Sequence, residues 1–175
     1  MMNRAKRILT LKYVIYALIL LILYVLQTTP GLFVVFGTKP MLVVPAAIAI
    51  AMYEGEFVGG LYGAFAGLLN DMGSSMLFGF NGLFLTFFCI VSGLLIIYLM
   101  HCNVRNAALY VAVTMLVTAS AEFLFGYGMW GYAGVWRIYV FDTLPLIAYT
   151  TAVSPLLFWM VRAIHGKTQK HLAHG

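Results

Sequence analysis

In this chain of 175 residues, 63% are hydrophobic and only 9% are charged, whereas a soluble domain covers its surface with roughly 25% charged residues. Lipid is therefore the expected solvent for most of the polypeptide, and soluble chemistry is not its expected work. The net charge of +5 argues little for nucleic acid, because the cationic residues sit at the ends of apolar segments, as topology signals do.

Polar or Gly/Pro breaks divide the sequence into six apolar stretches, which predict one all-α membrane domain over residues 1–175. The first, 12–29, follows Arg4, Lys6 and Arg7 as a secretion signal would. It ends in Gln27-Thr28-Thr29-Pro30 without a small-x-small cleavage site, so an uncleaved first helix is expected. The second and third, 40–53 and 57–70, hold about 14 residues each and reach roughly 21 Å as helices, short of a core of about 30 Å. Full crossing is the preferred reading, with the turn Glu54-Gly55-Glu56 at the cytoplasmic surface; a re-entrant hairpin on the outer side is the alternative. The remaining stretches are 81–100, 107–127 and 142–162.

Six crossings with the N-terminus inside place Arg4, Lys6, Arg7, Lys12, Arg105, Arg162, Lys167 and Lys170 on the cytoplasmic side, leaving only Lys39 and Arg137 outside. Both termini are thus expected in the cytoplasm by the positive-inside rule. Cys89 lies in an apolar run and Cys102 at the end of one, so two reduced cysteines are expected and no disulfide framework.

Within the third stretch Gly59, Gly63 and Gly67 recur every fourth residue and Asp71 continues the series. On a helix they make one narrow face that lets another backbone approach, and Ala46, Ala47 and Ala51 of the preceding stretch could supply the facing surface. Simple internal packing explains the pattern; the functional reading adds that the face positions Asp71. Among the five acidic residues, Glu122 falls inside the fifth stretch, where an ionised carboxylate costs about 2.5–3.5 kcal/mol unless it faces the bundle interior. Asp71 and Asp142 fall at outer helix ends and Arg137 in the outer loop, which predicts a polar cluster in which Arg137 pairs with one of the acids. Separate hydrated end residues are the plainer alternative.

The last external loop carries Tyr127, Trp130, Tyr132 and Trp136, which with Tyr139 form an expected interfacial aromatic belt; the first four are alternatively a surface for a partner protein. Its Gly126, Gly128 and Gly131 match GxGxxG, but without a βαβ unit the match has no dinucleotide meaning. No GxSxG or HExxH occurs, and His101, His165, His171 and His174 fall on the cytoplasmic side, away from Glu122 and Asp71. No catalysis, metal or cofactor is expected.

Lys39-Pro40, then Glu54-Gly55, Gly59-Gly60-x-x-Gly63-x-x-x-Gly67-Leu-Leu-x-Asp71 and Phe78-Gly79-x-Asn81-Gly82-Leu83 together resemble the rod shape-determining protein MreD family. Length, basic N-terminus, span count and basic tail also fit. Met41 stands where the family often has an acidic residue, and Tyr149, Thr150 and Thr151 precede Pro155 where it commonly has an Asn.

The resemblance implies a bundle similar to the S components of energy-coupling factor transporters, in the bacterial cytoplasmic membrane. It also implies a non-catalytic scaffold of cell-wall elongation. Such a scaffold would bind the single-span protein MreC and, through it, connect MreB filaments to RodA and its transpeptidase. The alternative function is a substrate-binding S component of a vitamin transporter, with Glu122, Asp71 and Asp142 lining an outward pocket. Against it, the first helix has Ala17 alone where S components commonly carry Ala-x-x-x-Ala.

Overall fold

The computed structural model describes residues 2–31, 38–74, 77–99, 101–126, 137 and 139–173. Among these the fold is all helical, with no strand. The helices are α1 (Met2–Thr28), α2 (Val43–Glu54), α3 (Glu56–Gly73), α4 (Phe80–Tyr98), α5 (Val104–Gly126) and α6 (Leu144–Ala173), the last entered through a π-helical turn, Tyr139–Thr143. Each of the six apolar stretches has become one helix. Several helices run past the stretch that announced them, because apolarity marks contact with lipid whereas the helix itself continues through polar residues at both chain ends.

Four segments are long and apolar enough to cross a membrane: Lys6–Thr28, Phe80–Tyr98, Val104–Gly126 and Tyr139–Gln169. Their outward faces carry bare apolar side chains such as Leu18, Ile22, Phe87, Leu94, Leu116 and Trp159. Water would not tolerate that belt, and lipid does. The chain is a membrane protein. α3 is of similar length, but its glycines, Asn70 and Asp71 lower its apolarity.

The twelve residues of α2 span only about 18 Å. Their setting explains how so short a helix is stable. Every residue from Val43 to Met52 is buried, and α1, α3, α4, α5 and α6 all pack against it. A helix that is apolar on all sides belongs inside a bundle, and α2 is its central post. Its first N–H groups would be orphans in this apolar setting. Gln27 Oε1 of α1 accepts from Val43 N at 3.3 Å, and buried Thr150 Oγ1 of α6 accepts from Met41 N, just ahead of the helix, at 3.1 Å.

α3 packs most extensively against α4, and next against α2. Here the glycine face differs from the expectation of an α2–α3 seam. Only Gly59 meets α2: a methyl built on it would lie 2.5 Å from Ala51 Cβ. Gly63 abuts Leu85 O and Cys89 Cβ of α4, each 2.8 Å from such a methyl, and Gly67 abuts Asn81 O and Gly82 Cα at 2.5 Å. The stripe therefore turns from α2 to α4 along its length. Gly93 of α4 repeats the device at the other end, where an added methyl would lie 2.7 Å from Glu56 N.

α6 contains Pro155, which removes the N–H that would have bonded Thr151 O. Ser154 Oγ donates to that carbonyl at 2.7 Å, and the helix continues.

Candidate functional site

Two polar clusters sit at opposite ends of α2. The first is built on Asp71, near the C-terminal end of α3. Its side chain is buried, with the residue 3% exposed, and it reaches over the start of α4. Oδ2 accepts from Gly79 N at 2.9 Å and Gly82 N at 3.1 Å, and Oδ1 from Asn81 N at 3.0 Å. These are N–H groups at a helix start, where the backbone dipoles favour negative charge. Asp71 thus caps α4 from a neighbouring helix, and Gly79 at φ 97° supplies the left-handed residue that starts α4. The spacing Asp71-x7-Gly79-x-Asn81-Gly82 is the sequence form of this latch.

The latch continues into α5, because Asn81 Nδ2 donates to Glu122 Oε1 at 2.7 Å. Beside it, Gln27 Nε2 donates to Asn70 Oδ1 at 2.8 Å. The same end holds an open cavity of about 650 Å³ lined by Gln27, Lys39, Asn70, Asn81, Glu122 and others.

The second cluster was not foreseen. Glu54, at the α2–α3 turn, accepts on Oε1 from Tyr16 OH at 3.0 Å and pairs with Lys12 Nζ and with His165 Nδ1, the latter at 2.9 Å. Lys12 is 4% exposed, so it is no hydrated end charge but a buried partner. His165 stacks on Tyr53 with ring centroids 5.1 Å apart. Burial alone would push the Glu54 carboxyl up. The hydrogen bonds from Lys12, His165 and Tyr16, with the charge of Lys12, outweigh it and hold the carboxyl below the ordinary carboxylate range. Lys12 of α1, Glu54 of α2 and His165 of α6 are far apart in sequence, and the nearest hint was that each lay at the same predicted membrane side.

The expected pairing of Arg137 does not form. Arg137 and Asp142 are both exposed, and among the described residues no ion pair joins Arg137 to Asp71, Glu122 or Asp142. Asp71 is already served by three backbone donors and Glu122 by Asn81, so two of the three acids have partners of their own. Asp142 lies in the π-helical turn and does not line the cavity, although its neighbour Thr143 does. Tyr127, Trp130, Tyr132 and Trp136 lie outside the described residues. Among the described residues no group of three or more His, Cys, Asp or Glu side chains could hold a metal.

The class defined by this fold is an all-helical membrane protein with a buried central helix and a polar cluster at each end. Compared with protein-family models, curated proteins and solved structures, the chain matches none.

Proposed function

We propose that this protein is a non-catalytic membrane scaffold of the bacterial cell-wall elongation complex, resembling MreD and binding a single-span partner of the MreC type. One observation carries the reading: the residues of the 39–83 resemblance converge on a single stiff unit. Gly63 and Gly67 bring α3 onto the backbone of α4, and Asp71 locks the start of α4 by three hydrogen bonds. A unit held by backbone contact and a buried carboxylate deforms little, which suits a platform on which another protein's helix is positioned. Through that partner the platform connects to MreB filaments, RodA and its transpeptidase, in the cytoplasmic membrane.

Six crossings with both termini inside is the topology that goes with this function. The position of α2 supports it over a re-entrant hairpin. Its first residue bonds Gln27, near the C-terminal end of α1, and its last bonds Lys12, about four turns back along that helix. α2 therefore runs between the same two levels as the body of α1.

The test is Gly63→Leu in the full chain. The added side chain meets Leu85 O and Cys89 and separates α3 from α4. Co-purification of the MreC-type partner and rod shape are expected to be lost together, while size-exclusion chromatography reports whether the protein is still monodisperse. Unchanged partner capture by Gly63→Leu refutes the platform. A second reading, an S-component-like substrate-binding subunit, is favoured only by the cavity beside Glu122. Vitamin uptake that depends on Glu122 would support it instead.

A further inference from the structure

The cavity beside Asn70 and Glu122 has a volume of about 650 Å³, within the range of roughly 300–1,000 Å³ usual for small-molecule sites. Its hydrogen-bond polarity can be worked out from one end. Val43 N is a backbone donor, so the Gln27 atom facing it must be the carbonyl oxygen. Gln27 then turns its amide nitrogen to Asn70, which must answer with its own oxygen. The relay ends on Asn70 Nδ2, a donor with no partner, on a residue only 7% exposed. A buried donor left unpaired costs about 1–3 kcal/mol, and this one is sealed from the cavity, so it meets an acceptor there only when the Asn70 amide turns outward.

Across the lining the polarity is reversed. Asn81 Nδ2 occupies Glu122 Oε1, and no bond to Oε2 is formed among the described residues. Among the described residues Glu122 is the one acid in the lining and Lys39 the one cation, and Lys39 makes no ion pair there. A simple anion would meet the carboxylate of Glu122, and a simple cation would leave Asn70 and Lys39 unanswered. A molecule carrying both charges answers all three.

We propose that this cavity binds a zwitterion in which an ammonium is linked to a phosphate or carboxylate. The ammonium pairs with Glu122, and the anionic oxygens take the Lys39 ammonium and, once its amide turns into the cavity, Asn70 Nδ2. The chemistry is that of a phosphoethanolamine group, whether on a membrane lipid or free in solution. The site needs no partner protein, so its failure leaves the scaffold reading standing, and loss of partner capture leaves the site standing.

Native mass spectrometry of the full chain, purified in detergent, tests the assignment with three probes: phosphatidylethanolamine, phosphatidylglycerol and free phosphoethanolamine. Retention of an ethanolamine-bearing probe about tenfold above phosphatidylglycerol is expected, a ratio that one charge-assisted hydrogen bond supplies. Glu122→Gln and Lys39→Met should each reduce that retention about tenfold. Glu122→Gln keeps an oxygen for Asn81, and Lys39 lies outside the helical core, so neither change threatens the fold; continued burial of the Cys89 thiol verifies this. Retention of the lipid alone identifies a headgroup site, and retention of the free compound a solute site. Equal retention of phosphatidylglycerol, indifference to both substitutions, or no retention of any probe overturns the proposal, the last leaving a water-filled cavity.

Discussion

Replacing Asp71 probes the latch most sharply, because its two oxygens are used unequally. Oδ2 serves two N–H groups and Oδ1 one. Hydrogen bonds to a charged group contribute about 1.5–3 kcal/mol each, and neutral ones about 0.5–1.5. Asp71→Ala removes all three, so the low end of that range gives a loss of about 4–5 kcal/mol. Neighbouring bonds are not additive, which is the reason for taking the low end. Asp71→Asn can keep its oxygen where two donors meet, losing one bond and weakening two, for about 2–3 kcal/mol. For a chain of this size these correspond to midpoint shifts of about 10–18 °C and about 5–10 °C.

Cys89 is the reporter for this experiment: it lies in the α3–α4 seam, touches Gly63 and is 0% exposed. In a Cys102→Ser background, a thiol-reactive fluorogenic dye in detergent reads the opening of that seam on heating. The expected order of midpoints is wild type, then Asp71→Asn, then Asp71→Ala. If Asp71→Ala melts with the wild type, or no lower than Asp71→Asn, the latch account is wrong.

Other consequences can be measured with the same assay. Gly67→Ala forces a methyl to within 2.5 Å of α4 backbone and should destabilise by about 1–3 kcal/mol or more, whereas Gly82→Ala meets nothing nearer than 3.6 Å and should be tolerated. Equal midpoints for the two variants would contradict the close approach. Lys12→Met leaves Glu54 buried without its ammonium and should cost about 3–5 kcal/mol, while Lys12→Met combined with Glu54→Gln should be milder than Lys12→Met alone; additive losses would deny the coupling. Because the folded Glu54 carboxyl is held below its ordinary range, its contribution is present above the unfolded value of about 4.3 and disappears as pH falls through the folded one. The stability gap between wild type and Glu54→Gln should therefore begin to shrink as pH falls past about 4.3 and close only below the folded value, and a gap independent of pH would refute this linkage.

Much of the architecture was legible because helix ends in a membrane protein are marked by residues that lipid rejects. Pro30-Gly31, Glu54-Gly55-Glu56 and Phe78-Gly79 each stand at a boundary that the structure keeps. The lengths were less legible. The apolar stretch starts at Lys12 but the first helix begins at Met2, and α6 runs on from Arg162 to Ala173, because a polar helix in water has no apolar signal.

The glycine face was visible at Gly59, Gly63 and Gly67, but its partner was not. Ala46, Ala47 and Ala51 offered small residues nearby in sequence, while Gly82, Cys89 and Gly93 offered them on the helix that in fact packs closest. Spacing reports that a face is narrow and says nothing of which neighbour fills it. Lys12, Glu54 and His165 show a similar limit, since each read singly is an end charge and only the fold makes them one cluster. Glu122 stands out in the sequence for its depth, yet its partner Asn81 sits inside a motif whose glycines are the visible signal.

Sidedness is the claim on which the rest depends, and labelling single cysteines with a membrane-impermeant maleimide tests it directly. In a Cys102→Ser background, Leu77→Cys and Asp142→Cys should react in intact cells. Glu56→Cys, Arg105→Cys and Gln169→Cys should react only after the membrane is opened. Reaction of Gln169→Cys or Glu56→Cys in intact cells would contradict six crossings with both termini in the cytoplasm.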